Sequence, residues 1–508
     1  MDLELQRTCL NGHRLIYHQT VTQEETMEGI VPDSKPDMVR IMDATGQPGL
    51  FTKELSEGLL RASGMIRASI LYLPEGEIGP RSTEIQIPVH ISIEDPAIHS
   101  NCKVQIMPRA CLADARALNP RKVLVRTELT VEIRIFEPEE INVCAGAKAK
   151  SHGECLQQKL EQIRKGQIST LREKNFVFSD VLNLPASRPR AKDLLRTRME
   201  VGKTETKIIG SRLVVKGEAG LTVLYGTEDG QIYTARFSMP FSQILEAGGA
   251  GEESDSWTEI VVTGLECTLQ PGDPGSVAVN VELLIQTFIQ EEIAVTLLSD
   301  LYSTNCNLEA ERTRWAVERI LSCEAKRERV RKICECTIPA KSIVDVSLSI
   351  GRTNPGRAGE MTDFRTETKV NVLFLSEDDA LCSVTYPIQV TCQMPMPEHY
   401  THLCRCRREE ELTAVPVTGG LEVRFELEYE VLLVQQEEIS YVNGVLELPS
   451  PVQTGQLPSV ILRMAGEGET LWEIAKAYHS TTADIAAANR LGEEIAPAGM
   501  MLIIPRRR

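Results

Sequence analysis

An alternation of apolar and polar residues restricts this chain's fold more than any other feature, because it returns three times in long runs. The runs read VLVRTELTVEIRIFE from Val123, VAVNVELLIQTFIQ from Val277 and LEVRFELEYEVLLV from Leu421. In the first, Leu129, Val131, Ile133 and Ile135 face one way and Glu128, Thr130, Glu132 and Arg134 the other. In the third, Val423, Phe425, Leu427, Tyr429 and Val431 alternate with Glu422, Arg424, Glu426, Glu428 and Glu430. A period of two with one polar face predicts antiparallel strands resting on a core by one side only.

Two further landmarks recur with these runs. A strand–turn–strand reads GMIRASILYLPEGE from Gly64, GEAGLTVLYGTEDG from Gly217 and TETKVNVLFLSEDD from Thr366, so that Tyr72, Tyr225 and Phe374 correspond. Glu75-Gly76, Asp229-Gly230 and Asp378-Asp379 are its turn signals. A proline-punctuated segment, VPDSKPDMVRIM from Val31, returns as LPASRPRAKDLL from Leu184. The third copy has an Arg- and Glu-rich stretch there instead, Glu309 to Arg331, which reads as helical through Trp315, Arg319 and Ile320. A chain of 508 residues is too long for one core. The expected fold is multidomain and mainly β, with three antiparallel, sandwich-like repeats at 20–142, 177–300 and 301–440. Leu156, Leu160 and Ile163 suggest a helical linker at 143–176, and the Pro- and Gly-containing stretch at 441–458 reads as a flexible linker before a last domain at 459–508.

That last domain is the most compact signal. Val460 to Met464 suits a strand, and Gly466 and Gly468 break it. Thr470 and Glu473 have the spacing of a capping box. Leu471, Ile474, Ala475 and Tyr478 then share one helical face. Thr482 is placed to cap a second helix, buried through Ile485 and Ala488. Pro497 and Gly499 turn the chain into a closing strand, Met501 to Ile504. The expected order is strand, helix, helix, strand.

On Gly468-Glu469-Thr470-Leu471-Trp472, Ile474-Ala475, Asn489, Leu491, Ile495, Gly499 and Leu502-Ile503-Ile504-Pro505 the tail resembles the LysM family, differing at Glu469, where the family pattern has Asp. The resemblance implies two helices on a two-stranded sheet, and a groove between the first strand–helix loop and the second helix–strand loop that usually takes N-acetylglucosamine chains. It makes Gly468, Glu469, Thr470, Leu471, Trp472, Asn489, Leu491 and Ile495 the candidate partner-binding residues. Three β repeats followed by one LysM are similar to the SPOCS-repeat plus LysM proteins of endospore-forming Clostridia. That likeness implies a spore-coat adaptor in the mother-cell cytoplasm, at the forespore surface, whose LysM docks on a coat-basement morphogenetic ATPase of the SpoIVA type, with other coat proteins on the repeats. The alternative it leaves is peptidoglycan binding in the envelope or spore cortex.

Composition trims the remaining choices. A formal charge of −17 opposes a nucleic-acid footprint and an anionic membrane surface. From Ser459 onward six acids (Glu467, Glu469, Glu473, Asp484, Glu493, Glu494) match six bases (Arg463, Lys476, Arg490, Arg506, Arg507, Arg508), so the acidic excess lies in the first 458 residues. No stretch is apolar enough to span a membrane. The opening Met1–Thr20 lacks the form of a signal peptide, so reduced thiols in a cytosol are expected for the 14 cysteines. Cys334-x-Cys336 and Cys404-x-Cys406 could each chelate from one strand face, but one intervening residue bends poorly around a tetrahedral ion. Arginines beside Cys404 and Cys406 would lower their pKa if the thiols were partly exposed. His399 and His402, near Glu398 and Tyr400, stand among prolines that oppose a helix. Gly248 to Gly251 precedes no amphipathic helix, and G-x-x-x-x-G-K-S/T, G-x-S-x-G and H-E-x-x-H are all missing. No catalytic residue, cofactor or metal is expected. Trp472 reads either as a core anchor or as part of the binding surface, since Leu471 and Ile474 already fill the buried stripe.

Overall fold

The computed structural model describes residues 3–49, 51–149, 155–202, 204–396, 400–409, 411–451, 458–492 and 495–506. It is 77% strand and 4% helix, as the alternation requires. The first set of strands is β1 (Leu3–Ile30), β2 (Met38–Pro48), β3 (Thr52–Ser56), β4 (Leu59–Pro74), β5 (Arg81–Glu94), β6 (Lys103–Asn119) and β7 (Lys122–Ala149). The second is β8 (Leu156–Asn183), β9 (Asp193–Val201), β10 (Glu205–Ile209), β11 (Arg212–Gly226), β12 (Ile232–Glu246), β13 (Asp255–Gln270) and β14 (Asp273–Ser303). The third is β15 (Cys306–Glu335), β16 (Ala340–Ala358), β17 (Met361–Ser376), β18 (Leu381–Pro395), β19 (Tyr400–Arg408), β20 (Thr413–Val417) and β21 (Gly420–Pro451).

All three sets follow one plan. The first and last strands pair antiparallel over nearly their whole length, as β1 with β7, β8 with β14 and β15 with β21. A hairpin partner flanks the last strand: β6, β13 or β19. A second, smaller layer of strands centres on β4, β11 or β17; those of β11 and β17 are separate sheets, while that of β4 joins the long sheet where Thr45 of β2 meets Leu112 of β6. The alternating apolar residues of the two layers meet, so that Leu60, Ile66, Ile70 and Tyr72 share one core with Val125, Leu129, Val131 and Ile133. The second and third sets have their own cores, around Tyr225 and Val281 and around Phe374 and Leu427. The turns need left-handed residues, supplied by Gly76 (φ 72°) and Gly79 (φ 80°) in the first, Gly230 (φ 79°) in the second and Asp379 (φ 59°) in the third.

Two segments expected to be helical are strands. Residues 143–176 belong to the end of β7 and most of β8, apart from 150–155, of which 150–154 are not described. Glu309–Arg331 lies inside β15. Their helix-favouring Glu, Lys, Gln and Arg are overruled by partners far along the chain. Arg329 and Arg331 of β15, for example, pair across to Glu426 and Glu422 of β21, at 2.5 and 3.0 Å. Of the residues that suggested a helix, Leu156 and Ile163 enter a shared core, while Leu160 remains exposed. The expected flexible linker also begins late: residues 441–451 complete β21, and 452–457 lie outside the described residues.

The long strands overrun their own sandwiches, and there the sets merge. Val143 and Cys144, Val295 and Leu298, and Tyr441 and Val442 form one buried cluster from all three ribbons. Leu71, Leu224 and Leu373, each one residue before the corresponding aromatic, meet in another. A buried ionic junction also joins the sets. Arg109 grips Glu259 through two 3.2 Å hydrogen bonds and Glu132 through one of 2.8 Å. Arg134 pairs with Glu132, and Arg405 donates to the Thr258 carbonyl at 2.7 Å and pairs with Glu430. Both Arg134 and Arg405 lie over the Trp257 ring, at 5.7 and 4.3 Å. Burial alone would raise the Glu259 carboxyl, but the three guanidiniums outweigh it and hold the pKa at about 2.

Candidate functional site

The tail folds as β22 (Val460–Met464), α1 (Leu471–Tyr478), α2 (Thr482–Asn489) and β23 (Met501–Pro505), with β22 and β23 antiparallel. The capping box at α1 is complete: the Glu473 N–H donates to Thr470 Oγ1 at 3.2 Å, and Glu473 Oε2 accepts from the Thr470 N–H at 2.9 Å. The cap of α2 is Thr481, not Thr482, and accepts from the Asp484 N–H at 3.0 Å. Leu471, Ile474, Ala475, Ile485, Leu502 and Ile504 make the core. Ala488, expected in that stripe, is exposed, because helix α2 is buried through Ile485 alone.

The expected groove lies between residues 466–470 and 489–495. Its two walls touch at one point, an isolated bridge between Thr470 and Ile495, beside which the Ala496 N–H donates to the Glu469 carbonyl at 3.4 Å. Gly468 turns there with φ 73°, and nothing crowds its α-carbon. Glu469 folds back onto its own loop, accepting from the Gly466 N–H at 3.0 Å and pairing with Arg463 at 2.7 Å. Asn489 ties α2 to β23: its amide nitrogen donates to the Ile485 and Ile503 carbonyls, at 2.8 and 2.6 Å, and its Oδ1 accepts the Ile503 N–H at 2.7 Å. Leu471 is in the core, Leu491 is half-buried against it, and Ile495 is 52% exposed. Of the eight candidates, Gly468, Leu491 and Ile495 thus have surface to offer a ligand in the groove. Leu471, Asn489 and Glu469 hold its walls. Glu493 and Glu494 lie outside the described residues.

Trp472 points elsewhere. Its indole N–H donates to Asp300 Oδ2 at 2.8 Å, and Lys476 Nζ reaches the same carboxylate at 2.7 and 2.8 Å. Burial would raise the Asp300 carboxyl, but those two donors outweigh it and lower it. Tyr302 inserts among the tail's core residues, meets the Trp472 ring edge-on at 5.0 Å, and donates to the Ser480 carbonyl at 2.9 Å. His479 Nδ1 lies 3.1 Å from the Ser303 carbonyl. The end of β14 is therefore a seat for α1, which fixes the tail on the body. Sequence reading missed Asp300 and Tyr302. A polar–aromatic pair at the end of a strand has no motif, although the spare indole of Trp472 was a hint.

The cysteine pairs do not converge. Cys334 is buried near Tyr386, while Cys404 and Cys406 neighbour Cys392. All the cysteines among the described residues are free thiols. Contrary to expectation, burial pushes the Cys406 thiol up to about 11 and raises Cys404 further, because strand alternation turns Arg405 and Arg407 to the opposite face, onto Glu430. His402 is an aromatic neighbour of Phe364, edge-on at 5.3 Å, and burial lowers its pKa. His399 and Glu398 lie outside the described residues. A cavity of about 740 Å³ opens where the three sets meet, lined by Arg109, Arg198, Arg352, Arg407 and Arg408 among others; most of these arginines are already paired with carboxylates such as Glu259, Asp345 and Glu200.

A family model described as SipL, SPOCS domain matches residues 190–270, which span β9 to β13 of the second set. A second, described as LysM domain, matches residues 466–505. Neither the curated proteins nor the solved structures yield a match. The chain thus carries a SPOCS domain and a LysM domain, in the order expected from its motifs. Both are binding or adaptor domains. No helix among the described residues is long and apolar enough to cross a membrane.

Proposed function

We propose that this chain is a non-enzymatic adaptor in spore-coat assembly. A chain that joins a SPOCS domain of the SipL type to a LysM domain brings a scaffold and a docking module together, and that pairing is the observation that carries the reading. The partner we assign to the LysM groove is a coat-basement morphogenetic ATPase of the SpoIVA type, met on the mother-cell side of the forespore surface, with other coat proteins on the repeats. The groove supports a protein partner. Leu491 and Ile495 give it an apolar floor, and Glu467 stands exposed on its rim. Anchors of this kind dominate protein interfaces, and truncating one costs about 2 kcal/mol or more.

The test is capture of a purified SpoIVA-type ATPase by the intact chain. Ile495→Ala should weaken it strongly while circular dichroism and unfolding of the tail stay unchanged; Leu491→Ala should weaken it too, read at a temperature where the tail is still folded because Leu491 packs on its core. The LysM match also supports a second reading, binding of N-acetylglucosamine chains in peptidoglycan. Tight retention on purified peptidoglycan, with no capture of the ATPase, would replace the first reading by the second.

A further inference from the structure

The sheet of the LysM domain has two apolar faces, and among the described residues only one of them is covered. Leu502 and Ile504 lie under the helices, wholly buried. On the other side Val460 is 53% exposed, Leu462 65%, Met464 60%, Met501 57% and Ile503 40%. Leu462 stands opposite Ile503 and Met464 opposite Met501, so these side chains form one continuous patch without a charged member. A surface strand ordinarily alternates apolar with polar. Contiguous exposed apolar patches usually mark a contact surface.

The same residues also carry a free strand edge. The Ser459 carbonyl accepts from the Arg506 N–H at 2.9 Å, and the Ala465 N–H donates to the Met500 carbonyl at 2.9 Å, so odd-numbered residues of this strand bond inward to β23. Antiparallel alternation then turns the N–H and C=O of Val460, Leu462 and Met464 outward. The far edge of β23 is blocked, because the Asn489 side chain occupies both the N–H and the C=O of Ile503. The outer edge of β22 pairs with no strand among the described residues. The strand is short and its one charged residue, Arg463, is turned inward onto Glu469, but it holds no lysine, proline or bulge, and no charge stands on its outward face.

We propose that β22 is a strand-addition site that takes an extended segment of another protein, antiparallel to it, with alternate apolar residues laid on the Val460–Leu462–Met464 face. Charge sets the flanks. The Val460 end adjoins Arg506, which Arg507 and Arg508 follow in sequence, and the Met464 end leads to the exposed Glu467. An antiparallel segment therefore has a basic residue before its apolar run and an acidic one after it. A patch of five side chains is small beside the roughly 800 Å² that each partner gives a stable interface. This favours an added strand, whose main-chain hydrogen bonds supply affinity, over a second copy held by the face alone. The site is separate from the groove and does not depend on what the groove binds.

Hydrogen exchange on the intact chain tests it, with a synthetic peptide of sequence Lys-Val-Ser-Val-Ser-Val-Asp as the probe. In the free protein the Leu462 amide should exchange much faster than Ile461 and Arg463. Peptide at ten times its Kd should slow Leu462 about tenfold. Leu462→Pro removes an outward donor that the native sheet does not use, and should abolish the peptide's protection of the neighbouring outward amides of Val460 and Met464 while Ile461 keeps its own. Leu491→Ala in the groove should leave it intact. The proposal is overturned if Leu462 is already protected without peptide and more so at higher protein concentration, which marks a second copy. It is equally overturned if anionic phosphatidylserine vesicles protect it and the peptide does not, or if millimolar peptide changes nothing.

Discussion

The junction of the three strand sets and the outer face of the LysM sheet invert the usual partition in opposite ways. The junction buries charge: Arg134 is fully buried and Glu259 nearly so. The sheet face exposes hydrocarbon, with Leu462 65% exposed. The difference lies in where the partners are. In the junction nearly every charge finds its complement inside the chain, often from a different set, as Arg109, at a register shift within β6, finds Glu259 of β13. On the sheet face no complement stands among the described residues. A buried group that is satisfied internally belongs to the fold, and an exposed group that no described residue satisfies is available for binding.

Breaking the junction should have the largest effect. Glu259→Gln keeps the shape and removes the charge that Arg109, Arg405 and Arg134 share. Leaving such charges uncompensated typically costs about 3–5 kcal/mol, read as a lower denaturant midpoint of the transition reported by Trp257 fluorescence. The pH dependence follows from the same group. Its folded pKa, about 2, lies below the ordinary 4.5, so its contribution is complete above pH 4.5 and is lost as the pH falls toward 2. The Gln variant should show a flatter loss over that window. An unchanged midpoint and slope would mean that the junction does not hold the sets together.

The seat of the tail is intermediate between the two regions, half inside the fold and half at its surface. Asp300→Ala leaves the Trp472 indole and the Lys476 ammonium without their acceptor. The expected loss is about 1–3 kcal/mol for the contact, seen as faster hydrogen exchange at Ser480 and a red-shifted Trp472 emission, with the junction's transition unmoved. Coincident loss of both would show that the seat and the body unfold as one unit.

These regions also differ in how far the sequence revealed them. The LysM tail was legible almost residue by residue, because caps, glycines and helical periodicity are local signals that nothing distant overrides. The threefold repeat was legible from Tyr72, Tyr225 and Phe374, whose preceding leucines do meet. The ribbons were not. Leu156 and Ile163 fit a helical spacing, yet their segment pairs with Val295 and Ser303 across more than a hundred residues. Junction and seat were equally hidden, since Arg109–Glu259 and Trp472–Asp300 are pairings that only the folded chain brings together. The open face was in plain view in Val460, Leu462 and Met464, but the run was read as an ordinary strand because its inward residues, Ile461 and Arg463, are no more apolar than its outward ones.

The smallest effect should come from the sheet face itself. Leu462→Ser removes a large apolar side chain, which in a core would cost several kcal/mol through the cavity it leaves. Leu462 leaves no cavity, because it is mostly in water already and its neighbour across the sheet, Ile503, is 40% exposed. The change gives up part of one cross-strand pair, worth about 0.2–1 kcal/mol, and relieves some exposed apolar area. Thermal unfolding of the tail should therefore stay within about 0.5 kcal/mol of the parent, in contrast to Glu259→Gln, although serine is the larger chemical change. A loss of more than about 2 kcal/mol would place Leu462 inside a packed interface within the chain, and the contrast between a settled interior and an open face would fail at the residue that defines it.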